Sequence, residues 1–167
     1  MAPVNKHFYN AHSVEGSQNG DRVYSFNIGV DSDKLLQVFI EDCSKIDISE
    51  KILDTLQGLK DKYYLILRTD NMDSFDRFTL PEVPRLKEVF DQIDNSFNLG
   101  ELKLDNSGQY FLNKAKERSI NINLCYFIDD SQKNCDFYTE LGGNAYCVTG
   151  EDNVVASLKK QFLNGKI

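Results

Sequence analysis

The chain has 167 residues, a net charge of −7, 41% hydrophobic residues and 27% charged ones. That is the length of one domain and the composition of a soluble globular protein, with enough core to fold without metals or disulfides. An acidic balance with no Lys/Arg cluster argues against a nucleic-acid or anionic-membrane partner, and no segment nears the ~20 apolar residues that span a bilayer.

Residues 1–22 are rich in Asn, Ser, Gly and His, show little periodicity, and read as a flexible N-terminal arm ahead of a 23–167 domain. The opening Met-Ala-Pro-Val-Asn-Lys has no apolar run, so no secretory leader is expected. Val23–Val30 is β-prone. Leu35, Leu36, Phe39 and Cys43 then form a helical stripe, with Asp31-Ser32-Asp33 as cap candidates. Ile52, Leu53, Leu56 and Leu59 repeat the stripe behind Ser49. Tyr63–Leu67 is continuously apolar, the pattern of a strand covered on both faces.

The alternation continues. Leu86–Phe90 predicts a helix and Gln92-Ile93 a short strand. Phe111, Leu112, Ala115 and Ile120 mark a further helix, placed at 106–118. Leu124–Ile128 reads as a buried strand. Asp130-Ser131 can cap a helix bearing Cys135, Tyr138 and Leu141, which Gly142-Gly143 stops. Ala145–Val148 predicts a strand, and Val154, Val155, Leu158 and Phe162 a last amphipathic helix. Strands alternating with helices imply an α/β fold of βαβ units with a parallel sheet.

Two residue types narrow the chemistry. The only histidines, His7 and His12, lie in the arm, so a His-based triad or His-rich metal site is not expected inside the domain. Cys43, Cys125, Cys135 and Cys147 form no CxxC pair, and three lie in or beside core-forming stretches. Buried reduced thiols and a cytoplasmic location are the expectation. Carboxylates, a lysine, hydroxyls and a metal held by oxygens remain as the working groups.

In parallel α/β sheets ligands bind beyond the carboxyl ends of the strands. The residues there are Asn27–Gly29, Arg68–Asn71 and Asp129–Ser131, with Lys103 in the loop before the 106–118 helix. A hydroxyl, a lysine and paired carboxylates suit phosphoryl chemistry: Thr69 would bond a phosphoryl oxygen, Lys103 would offset its charge, and Asp129 and Asp130 would hold Mg²⁺. Each has a plainer role too. Thr69 can end a strand, Lys103 can be solvated, and Asp129-Asp130 can favour a helix N-terminus.

From about Lys51 to Lys160 the order of these residues resembles the haloacid dehalogenase (HAD) superfamily. Tyr63-Tyr-Leu-Ile-Leu-Arg-Thr-Asp-Asn71 is similar to its second motif, Phe90–Ile93 with Leu99-Gly-Glu-Leu-Lys103 to the stretch reaching its third-motif lysine, and Tyr126-Phe-Ile-Asp-Asp-Ser-Gln-Lys-Asn134 to its fourth, metal-binding motif. Leu141–Ala145 and Val148–Gly150 resemble the usual continuation. The resemblance implies a three-layer α/β/α Rossmann-like parallel sheet with little or no cap, Mg²⁺ as cofactor, and phosphatase chemistry.

The chain departs from the family at its first motif, an Asp-x-Asp whose first carboxylate is the nucleophile and whose second is the acid/base. Laid on the pattern, Asn27 takes the nucleophile's place and Gly29 the acid/base's. Asp31-x-Asp33 has the right letters but opens a helix pattern. A second alignment makes residues 23–60 the tail of a helical cap, with the first-motif strand absent from the chain. Leu104 stands where a proline is common, and Asp70 sits between Thr69 and Asn71.

Three functions stay open. One is a catalytically impaired domain, a pseudoenzyme, that binds a small phosphorylated ligand or a protein partner. Another is a Mg²⁺-dependent phosphoric monoester hydrolase whose nucleophile is unplaced or comes from another chain. The third is a purely structural or interaction protein. A receiver domain shares the residue types, but its acidic pair comes early and its lysine late, the reverse of Lys103 before Asp129-Asp130.

Overall fold

A computed structural model describes residues 31–163. The arm at 1–22, the expected strand at 23–30, and with them Asn27 and Gly29, lie outside the described residues. The chain divides into two compact units, Met1–Ile46 and Asp47–Ile167.

In the first unit the described element is α1, Ser32–Ser44. Asp31 caps it: its Oδ1 accepts from the Asp33 and Lys34 N–H groups at 2.9 and 3.1 Å, satisfying two orphan donors of the first turn. The Asp31-x-Asp33 pair is thus a helix opening, as its sequence context predicts.

The second unit starts with α2, Glu50–Gln57, behind Ser49 at the N-cap position. Its apolar stripe buries Leu53, which is 1% exposed. β1, Ile66–Thr69, pairs in parallel with β2, Gln92–Asn95, in the register Ile66↔Gln92 to Thr69↔Asn95. A wide π turn over Phe75–Thr79 and α3, Arg85–Val89, make the crossover. Leu53, Phe75, Leu80, Leu86 and Val89 pack into one core, with Leu67 and Ile93 half-buried against it.

After β2 comes α4, Ser96–Leu99, closed by Gly100 at φ +69°. A turn over Asp105–Gly108 leads into α5, Gln109–Glu117. β3, Tyr126–Asp129, pairs in parallel with β4, Asn144–Cys147, across α6, Gln132–Glu140. Ser131 caps α6, accepting from the Asn134 N–H at 3.4 Å. Tyr110, Phe111 and Tyr138 form a second core with Phe127 half-buried against it. The last helix, α7, Glu151–Leu158, runs on through a π segment to Leu163. Its Leu158 and Phe162 form a third core with Leu59, against which Leu65 and Ile128 each pack half-buried.

The α/β class and its parallel pairing match the expectation, in two strand pairs. Several details correct it. The buried strand expected at 124–128 runs from Tyr126 to Asp129, and Leu124 and Tyr126 are exposed. The strand expected at 63–67 lies at 66–69, because the Asp91 carboxylate takes the Leu65 N–H at 2.8 Å and the ladder starts only beyond it. Its one buried residue is Arg68, not an aliphatic one. The helix expected from 106 starts at Gln109, because Asn106, Ser107 and Gly108 all hold left-handed backbone, at φ +50°, +54° and +72°. Of the four cysteines only Cys135 is buried; Cys43 and Cys125 are half-buried and Cys147 is exposed.

Candidate functional site

The carboxyl ends of β1 and β3 carry the residues that the sequence singled out. Asp129 is the last residue of β3, where the strand direction presents it to the loops. Its carboxylate is almost fully occupied. Oδ2 accepts from Lys103 Nζ at 2.8 Å, and Oδ1 accepts from the Ser131 N–H and from Asn134 Nδ2, both at 2.9 Å. Side-chain exposure is 15% for Lys103 and 5% for Asp129, so the ion pair is largely shielded from water.

Burial alone would push the Asp129 carboxyl up. The hydrogen bonds from Lys103, Ser131 and Asn134, with the Lys103 charge, outweigh it and hold the carboxyl below the usual carboxylate range. Asp129 is therefore an anion at neutral pH.

Lys103 is held at its backbone as well. Its N–H donates to both Asp70 oxygens, at 3.0 and 3.2 Å. Asp70 pairs with Arg68 at 3.1 Å. Arg68 in turn donates Nη1 to the Thr69 carbonyl at 2.8 Å and Nη2 to the Glu101 carbonyl at 2.7 Å. Its guanidinium lies 4.9 Å from the Tyr110 ring, and the Tyr110 hydroxyl donates to Asp94 at 2.7 Å. Burial and that bond to Asp94 push the Tyr110 phenol up, so it stays protonated. One buried guanidinium thus ties the end of β1 to the loop that carries Lys103. Its Nε is the one buried side-chain nitrogen or oxygen without a partner among the described residues.

Thr69 ends β1, and its hydroxyl accepts from Asn71 Nδ2 at 2.7 Å. No hydrogen bond joins that hydroxyl to Lys103 or Asp129 among the described residues. Asp130 follows the end of β3 with an exposed side chain, and its carbonyl accepts from Cys147 Sγ at 3.6 Å. Of the four described candidates, Lys103 and Asp129 are joined directly, Thr69 is linked to them through Arg68 and Asp70, and Asp130 stands beside them. Leu104, in the place of the family's common proline, has φ −97° and ψ 0°.

Sequence reasoning placed Arg68 at a strand end and Asn134 in the fourth-motif stretch but gave neither a role. An arginine ending an apolar strand run was the one signal for the first. Beside these strand ends a cavity of about 280 Å³ opens, lined by Asn71, Met72, Ser96, Phe97 and Leu102 among others.

Among the described residues no group of three or more His, Cys, Asp or Glu side chains is placed to hold a metal. Mg²⁺ asks for less: one or two carboxylates, with waters and phosphate oxygens filling the octahedron. Asp129 uses three of its roughly four acceptor sites internally, which leaves one, and the side chain of the next residue, Asp130, is exposed.

Comparison with solved structures fixes the fold. A HAD family enzyme from Bacteroides thetaiotaomicron, determined with magnesium and inorganic phosphate, matches at a TM-score of 0.63 and 24% identity, over 74% of this chain and 62% of that one. The fold is HAD-like. A HAD-like family hydrolase from Porphyromonas gingivalis matches at 0.59 and 23% identity, over 72% and 60% of the two chains. A dehalogenase determined as an intermediate complex matches at 0.59 and 16%, over 73% and 54%. The chain spans about three fifths of the length of the first of these neighbours. No family model and no curated protein matches it. No described helix is long and apolar enough to cross a membrane.

Proposed function

We propose that this HAD-like domain binds a small phosphorylated ligand at the Lys103–Asp129 pair and is catalytically impaired. The observation that carries the reading is the shielded ion pair at the strand ends, with Lys103 fixed at both its backbone and its ammonium. An ammonium held so can offset a phosphoryl dianion without reorganising on binding. Thr69 would bond a phosphoryl oxygen after exchanging its Asn71 partner.

Mg²⁺ belongs to the same reading, with Asp129 and Asp130 as its protein ligands. Bound there, it would offset charge on the phosphoryl oxygens and orient them. The neighbour crystallised with magnesium and inorganic phosphate supports that pairing of ligands. The reading also takes the two strand pairs as parts of one three-layer α/β/α sheet, supported by Leu65 and Ile128 packing on the same core. It places the domain in the cytoplasm and gives it neither a membrane nor a nucleic-acid partner.

Impairment follows from the first motif. Asn27 and Gly29 stand where the family has its nucleophile and acid/base, and an amide cannot form the aspartyl-phosphate. Of the two acids that follow, Asp31 and Asp33, the first spends its carboxylate on the cap of α1 and the second lies within that helix. The alternative is a Mg²⁺-dependent phosphatase with its nucleophile elsewhere, favoured by the intact Lys103–Asp129 pair.

An assay with an aryl phosphate and Mg²⁺ separates the two, with Asp129→Asn as control. The proposed reading expects folded protein with no hydrolysis above background. Turnover that disappears in the variant would instead establish the phosphatase and send the search for the nucleophile to the first fifty residues.

A further inference from the structure

The β3–β4 junction holds two thiols that the site does not use. The parallel register sets Cys147 of β4 beside Asp129 of β3. Cys135 of α6 turns its sulfur to the same point: Sγ donates to the Asp129 carbonyl at 3.7 Å, an oxygen that also accepts from the Val148 N–H at 3.0 Å. Cys147 Sγ donates to the next carbonyl, of Asp130, at 3.6 Å. The two thiols thus donate to the carbonyls of consecutive residues. Cys135 is 3% exposed, whereas Cys147 faces solvent.

We propose that Cys135 and Cys147 are a modification site, a dithiol that closes to a disulfide on meeting a small disulfide oxidant of the glutathione class. The exposed Cys147 thiolate attacks one sulfur of oxidised glutathione, forming a mixed disulfide and expelling one glutathione thiolate. The Cys135 thiolate then attacks the Cys147 sulfur and expels the second glutathione. The two protons lost by the protein thiols end on the two glutathione thiols released, so one disulfide is reduced for each one made. The α6 and β4 backbones bring the two thiols to neighbouring carbonyls beforehand, and a bridge needs its two cysteines on such adjacent stretches of chain. Bridging takes both S–H donors away from the carbonyls of Asp129 and Asp130.

The test uses the full reduced chain incubated with oxidised glutathione, then cleavage after Glu140, which separates the two cysteines, and mass mapping. The expected product joins the Cys135 and Cys147 peptides, lowers the free thiols from four to two, and reverts with dithiothreitol. Cys135→Ser should leave Cys147 as a lasting glutathione adduct. If wild type accumulates that same adduct, or if the bridge forms through Cys43 or Cys125 instead, the proposal is overturned. The outcome does not depend on phosphate binding, which can fail while the disulfide stands.

Discussion

Lys103 and Asp129, 26 residues apart in sequence, meet at 2.8 Å with side chains 15% and 5% exposed. A pair this shielded gains from its own charges but has already given up water around both ions. Its net worth is therefore small, while the cost of removing one partner is large. Asp129→Asn keeps the shape and the Ser131 bond but strands the ammonium. The expected loss is about 3 kcal/mol, the low end for removing one partner of a shielded ion pair. Urea unfolding checks it, and an unchanged midpoint would mean that the pair is not formed in solution.

The same carboxylate sets a pH response. Its folded pKa is lowered, so the unfolded chain binds the proton more tightly. The stability that it contributes is full above the unfolded value of about 3.9 and is lost as pH falls through the lower folded value. Neutral-to-weakly-acid conditions should leave it untouched. Urea midpoints of wild type and Asp129→Asn, followed downward from pH 6, should converge below about pH 4. Parallel curves would refute the assignment.

Arg68 is a positioning residue for Lys103. Its fork reaches the Thr69 and Glu101 carbonyls and the Asp70 carboxylate together. A lysine ammonium has the charge but not the planar fork. Arg68→Lys should cost about 1–2 kcal/mol in denaturant unfolding and Arg68→Met more, since Asp70 then loses its counter-charge. The readout specific to positioning is phosphate affinity, which should weaken in the folded Arg68→Lys chain. Affinity equal to wild type would reduce Arg68 to a structural role.

Two glycines offer a controlled pair. Both have left-handed backbone, Gly100 at φ +69° and Gly108 at φ +72°. A Cβ on Gly100 meets nothing within 4 Å, whereas one on Gly108 would sit 2.4 Å from Leu141 Cδ1 and 2.9 Å from Phe137 Cε1. Gly100→Ala should cost only the backbone term, about 1 kcal/mol. Gly108→Ala adds overpacking, for about 2–4 kcal/mol in all. Thermal unfolding of the two variants measures the difference.

Residues differ in how far their roles could be read from the sequence. Asp129 and Ser131 were legible because an apolar run followed by an acid and a hydroxyl has few outcomes: a strand end and a helix cap. The Lys103–Asp129 contact was not legible: strand-end position and the family resemblance put both residues at one site, but no local period links residues so far apart. The burial of Arg68 was hidden because the Glu101 carbonyl and the Tyr110 ring that meet it come from later in the chain. Asn106-Ser107-Gly108 did carry a turn signal, as residue types that tolerate left-handed backbone. The apolar spacing of the helix behind it drew the predicted start too early.

The central claim is a phosphoryl-binding site centred on Lys103. Calorimetric titration of inorganic phosphate with Mg²⁺ into wild type and Lys103→Gln tests it most directly. The account predicts saturable binding in wild type that is lost in the folded variant. No binding by wild type, or equal binding by both chains, would contradict it.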